Sequence, residues 1–124
     1  MIPNDIDIDV KTQYLPQQSQ PNNQQFGFAY QITITNNGDR SVQLISRHWI
    51  ITDATEERQE VKGLGVIGEQ PHIAPGESYQ YTSGAVLKTE TGTMEGSYHM
   101  NFDDGTSCDV PIPLFLLAIP SAVH

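Results

Sequence analysis

Gly63, Gly65 and Gly68 stand at the spacing G-x-G-x-x-G inside Val61–Gly76, VKGLGVIGEQPHIAPG, and come nearest in this 124-residue chain to a chemical device. In a dinucleotide-binding turn, such glycines let a pyrophosphate approach the N-terminus of the helix that follows. Here Glu69-Gln70-Pro71 follows the third glycine, so no helix can run on and an acid stands where the phosphate would arrive. No Gly-Lys-Ser/Thr is present, which removes the P-loop. Two readings remain. The glycines serve a loop that needs positive φ or close strand packing. Alternatively, backbone N–H groups at Gly63, Gly65 and Gly68 form a nest for an anion beside Lys62, taking pyrophosphate or a nucleotide polyphosphate.

Other chemistries find less support. The candidate metal ligands are His48, His72, His99, His124, Cys108 and the acids, but no CxxC, HxH or HExxH occurs, so no metal site or cofactor is expected. Asp5, Asp7 and Asp9 suggest half of a calcium loop, yet that loop needs glycine at its sixth position and an acid at its twelfth. Val10 and Pro16 stand there instead, and a solvated acidic face is the better reading. His99 and Asp109 fall on outward parities across a turn, where a weak cation patch competes with an ordinary polar face. Ser83, Ser97 and Ser107 lack a nucleophile-elbow context, and no carboxylate is set by sequence in an apolar pocket opposite another. No enzyme is expected.

The formal net charge is −9, from six Lys and Arg against fifteen Asp and Glu. Arg40, Arg47, Arg58, Lys62 and Lys88 are scattered, so a nucleic acid would be repelled with no basic patch to override the field. One cysteine gives no internal disulfide and suits a reducing compartment. MIPNDIDIDV has neither the basic nor the apolar region of a secretory signal, and Leu114–Ile119 falls far short of the ~20 residues that span a bilayer. A cytoplasmic protein without membrane contact is expected.

The elements that position these residues read as strands. Ile6, Ile8 and Val10 alternate with aspartates, as in a strand near an edge. Residues 16–25, PQQSQPNNQQ, read as a mobile polar loop. Phe26, Phe28, Tyr30, Ile32 and Ile34 share one parity, and Asn36-Asn37-Gly38-Asp39 then predicts a tight hairpin turn. Val42 and Leu44 resume the alternation before the parity moves to Ile45, Arg47, Trp49 and Ile51, which predicts a β-bulge near 44–46. Further strands are expected over 58–62, from Tyr79, over Met94–Phe102 and from Cys108, the last two joined by a hairpin at Asp103-Asp104-Gly105. No window shows a helical period, so the chain is expected to be one all-β domain over 1–124. Seven to eight strands would form an antiparallel sandwich of the immunoglobulin-like or fibronectin type III-like kind. From Leu114 onward the last strand is apolar on both parities. Phe115 and Leu117 leave the parity of Ile112, Leu114 and Leu116; burial within the monomer on both faces is the first reading, and a partner surface formed by these two residues is the second.

The ordered run of motifs resembles the ApaG family. It comprises the three glycines followed by Glu69-Gln70-Pro71, then Pro75-Gly76-Glu77, Ser83-Gly84, the block Gly92–Tyr98 and the closing Ile112–Pro120, and it covers essentially the whole chain. The resemblance implies a small bacterial domain with a fibronectin type III-like fold and an indirect association with cobalt resistance and magnesium efflux. In related eukaryotic domains it implies protein binding. It brings no catalytic residues. The expected function is therefore a noncatalytic module that binds a protein partner, a second copy of this chain being one form of partner. Binding of pyrophosphate or a nucleotide at the glycine loop is the alternative.

Overall fold

A computed structural model describes residues 5–122 as eight strands and three single 3-10 turns. The strands are β1 (Ile6–Tyr14), β2 (Phe26–Asn36), β3 (Val42–Asp53), β4 (Arg58–Leu64), β5 (His72–Ile73), β6 (Ser78–Leu87), β7 (Thr91–Phe102) and β8 (Ser107–Ala118). They form two antiparallel sheets. One has the order β1-β2-β6; the other runs β4-β3-β7-β8, with β5 pairing the start of β3. Period-two alternation buries one face of each strand, so Phe28, Ile32 and Ile34 of β2 meet Leu44, Trp49, Tyr98 and Met100 of the other sheet in a single core.

Several expectations from the sequence are met. β1 is an edge strand with Asp7 and Asp9 on its exposed face. The register of β3 against β7 slips between Leu44 and Ser46, the bulge that the parity change predicts. The β7–β8 hairpin turns at Asp103–Gly105, where Gly105 takes φ 88.

Two expectations are corrected. Asn36–Asp39 is not a hairpin, because β2 and β3 belong to different sheets and the segment carries the chain from one to the other. The buried Asn36 side chain fixes this crossing. Its Nδ2 donates to the carbonyls of Arg40 at 2.8 Å and Ile73 at 3.0 Å, and its Oδ1 accepts from Gly38 N at 2.9 Å. Residues 16–25 form two 3-10 turns, Pro16–Gln18 and Pro21–Asn23, tied down by a bridge between Gln20 and Gln25. Ser19 Oγ donates to Leu15 O and accepts from Gly27 N, both at 2.8 Å, which pins the segment to β2.

Candidate functional site

The glycine loop bridges β4 and β5, which lie one after the other along the same edge of β3. It spans the β3 bulge and is bonded to it. Ile45 O accepts both Gly65 N at 2.8 Å and Gln70 Nε2 at 2.9 Å, while Leu44 N donates to Pro71 O at 3.0 Å. Each glycine has its own steric reason. A Cβ on Gly63 would meet Arg47 Nη1 at 2.9 Å; one on Gly65, which has φ +62, would meet Glu69 O at 2.2 Å. Gly68 has open space around it and needs glycine only for its φ of +80.

The amides of Gly65, Val66 and Glu69 are taken by carbonyls, and Val66 is buried in the core. Lys62 does not turn toward the loop's amides; its Nζ lies 3.6 Å from Glu60 Oε1. Of the three glycines, Gly65 is the one bonded to the bulge, and Gly63 lines an outer depression together with Lys62.

Lys62 belongs instead to the outer face of the larger sheet. There Ser46, His48, Ser97, His99 and Asp109 line an open depression of about 490 Å³ with it. His48 Nε2 donates to Glu60 Oε1 at 2.6 Å, and His99 Nδ1 to Asp109 Oδ1 at 2.8 Å. The His48 hydrogen bond, followed by the Lys62 charge, holds the Glu60 carboxyl below its ordinary value. Among the described residues, no three or more His, Cys, Asp or Glu stand together as a metal-holding group. His124 lies outside the described residues. Ser97 is opposite His48 in the β3–β7 register, whereas Ser83 lies on β6 and Ser107 begins β8. Cys108 is half-buried, and burial pushes its thiol up.

The parity of β8 also differs from the expectation. Met94 pairs with Phe115 but Gly96 pairs with Ile112, so β8 carries an extra residue over Pro113–Leu114 and its faces exchange. Leu117 is fully buried, and Phe115 packs edge-on against Trp49 with ring centroids 5.8 Å apart. The exposed apolar side chains of this strand are Leu114 at 58% and Leu116 at 51%. Phe115 and Leu117 therefore pack inward, as burial within the monomer predicts, and do not form an outward-facing surface. Because both parities are apolar there, the alternation carries no sign of the exchange.

A second recess lies between the sheets, where the β4 and β6 edges leave the sandwich open. It measures about 370 Å³ and is lined by Tyr30, Arg47, Trp49, Val61, Ser83 and Ala85, among others. Arg47 Nη1 donates to Leu64 O at 3.0 Å and Gly65 O at 2.8 Å. Deeper in, the hydroxyls of Tyr81 and Tyr98 bond to each other, and burial drives both phenols far above their ordinary pKa. Trp49 is 2% exposed, and its indole N–H has no hydrogen-bond partner. Sequence reasoning passed over this recess, although Arg47 on the inward parity of Trp49 and Ile51 was a visible signal of it.

Fold and site together define a small two-sheet β-sandwich domain whose glycine loop is bonded to the β3 bulge and whose polar clusters are open to solvent. A family model described as the ApaG domain matches residues 16–102. The chain belongs to the ApaG family. It is 55% identical over 119 residues to Protein ApaG of Pseudomonas paraeruginosa, covering 96% of this chain and 94% of the relative. It is 52% identical over 122 residues to Protein ApaG of Bordetella pertussis, covering 98% and 93%. Among solved structures it is similar to a crystal structure of a Bordetella pertussis protein described as ApaA, with TM-score 0.91 and 53% identity over 96% of this chain and 97% of that one. A structural-genomics X-ray structure is similar at TM-score 0.93 and 47% identity, covering 98% and 92%. The relatives' names state no activity.

Proposed function

We propose that this protein is a noncatalytic binding module that takes an extended segment of a protein partner along the free edge of β6. The observation that carries the reading is a contrast between edges. Among the described residues β6 pairs only with β2, and its ten residues SYQYTSGAVL contain neither a charge nor a proline. The other long edge strands carry the usual protections against added strands. β1 has Asp7, Asp9 and Lys11; β4 has Arg58, Glu60 and Lys62; β8 has Asp109, Pro111 and Pro113. An unprotected edge offers main-chain donors and acceptors to an incoming strand, and Val86, 63% exposed, gives that strand an apolar contact. Any link with cobalt or magnesium resistance is, in this reading, indirect and runs through the partner.

Placing lysines on this edge tests the reading. Thr82→Lys with Val86→Lys should abolish recovery of the partner from cell extract while the variant stays folded by circular dichroism. Equal recovery would remove the β6 edge from consideration, and a sedimentation shift lost in the variant would make the partner a second copy. The pyrophosphate alternative rests on the amides of Ile67 and Gly68, which no carbonyl of the loop takes up. Amide NMR with pyrophosphate and magnesium should then shift residues 67 and 68, and silence there ends that alternative.

A further inference from the structure

The guanidinium of Arg47 is a half-buried cation whose charge no carboxylate answers. Among the described residues, the ion pairs join Arg40 to Asp104, His48 and Lys62 to Glu60, Lys88 to Glu57, and His99 to Asp109. Arg47 takes part in none of them, in a chain with fifteen acids and a net charge of −9. Its bonds to Leu64 O and Gly65 O both leave from Nη1 and use the two protons of that nitrogen. What remains is the Nε–Nη2 edge, with three N–H donors in the planar fork that matches a carboxylate in two parallel hydrogen bonds. Those nitrogens are not sealed, since among the described residues the one fully enclosed polar side-chain atom without a partner is Trp49 Nε1.

The surroundings specify the rest of a ligand. Arg47 is the sole charged residue lining the inter-sheet recess; the walls are otherwise Tyr30, Trp49, Ile51, Val61, Ala85 and their apolar or neutral neighbours. A volume of about 370 Å³ falls within the range of small-molecule sites, ~300–1,000 Å³. Trp49 also lines the recess with its ring, while its unpartnered indole N–H is itself fully enclosed. We infer that the recess binds a carboxylate carried on an apolar body, with the Nε–Nη2 edge of Arg47 gripping the carboxylate and the Trp49–Val61–Ala85 walls covering the chain. The recess shares residues 83–86 with the β6 edge, but it needs no partner strand, and a small acid fills it alone.

Trp49 is the chain's single tryptophan, so its fluorescence reports on this recess directly. Hexanoate titrated into the intact protein should give a saturable emission change, and hexanamide, of the same shape without the charge, should give none. Arg47→Gln should weaken hexanoate binding roughly tenfold or more, and Arg47→Lys should not restore it, because an ammonium lacks the fork. Ala85→Leu fills the recess from the β6 wall without touching Arg47 and should weaken binding similarly, so the test survives if Arg47→Gln does not fold. No saturable response to roughly 10 mM hexanoate, an equal response to hexanamide, or undiminished affinity in Ala85→Leu each overturns the site. A leucine-terminated peptide binding tighter than hexanoate, with its amidated form inert, would identify the source as a polypeptide terminus. Weaker peptide binding would identify a free acid.

Discussion

At the scale of single residues, the three motif glycines are not equivalent. Gly65 combines a left-handed backbone with a carbonyl 2.2 Å from where its Cβ would stand, whereas Gly68 has the backbone requirement without the contact. Gly65→Ala should therefore cost about 3 kcal/mol or more, and Gly68→Ala about 1 kcal/mol. Urea midpoints of the two variants check this, and equal losses would contradict the separate roles. Asn36 makes a comparable case from the polar side. Asn36→Ala removes the acceptor of Gly38 N and the donor to two carbonyls, one of them deep in the molecule, and should cost about 2 kcal/mol. The glycine spacing was legible in the sequence, but its meaning was not. A spacing cannot show that the amides of Gly65, Val66 and Glu69 are already spent on carbonyls.

At the scale of elements, two bulges govern which side chains face the core, and the sequence disclosed one of them. In β3 the parity passes from Leu44 to Ile45, Arg47 and Trp49 across a clear mix of polar and apolar residues, so the slip could be read. In β8 the slip at Pro113–Leu114 falls in a run where leucines occupy both faces, and alternation carries no information there. The consequence is measurable. Leu117→Ala should destabilise by ~2–5 kcal/mol, as a fully buried leucine does, while Leu116→Ala should stay within ~0.5 kcal/mol. The reverse order would restore the original parity. The turn at Asn36–Asp39 shows a different limit. Asn-Gly announces a reversal, but the same residues serve a crossing between sheets, and only the pairing of β2 with β1 and β6 tells the two apart.

At the scale of the whole molecule, the two-sheet architecture was legible because so many strands alternate cleanly, and the acidic balance was plain from composition. Where those acids act was not. The Thr106 hydroxyl and amide hold Asp104 below its ordinary value of 3.8, and the Thr55 hydroxyl does the same for Asp53, each in a hairpin turn. Glu60 is held down across the β3–β4 pair by His48 and Lys62. A carboxyl depressed in the folded state adds stability that is complete above its unfolded pKa and is lost as the pH falls through the folded value. Stability should thus be flat near neutrality and decline below about pH 4. Asp104→Asn should lower it at pH 7 and soften that decline, as urea unfolding at pH 7 and pH 3 would show. An unchanged acid limb would acquit the turn.

The distribution of strands between the sheets also sets a timetable. β2 finds β1 at once, but its other neighbour is β6, which is synthesised only after β3, β4 and β5. At ~5–20 residues per second, Phe28, Ile32 and Ile34 wait some seconds on the ribosome with one flank of their strand unpaired. β3 waits in the same way for β7, so the nascent chain is exposed from the emergence of β2 until β7 and β8 follow, and a chain stalled in that interval should aggregate where the full-length chain should not.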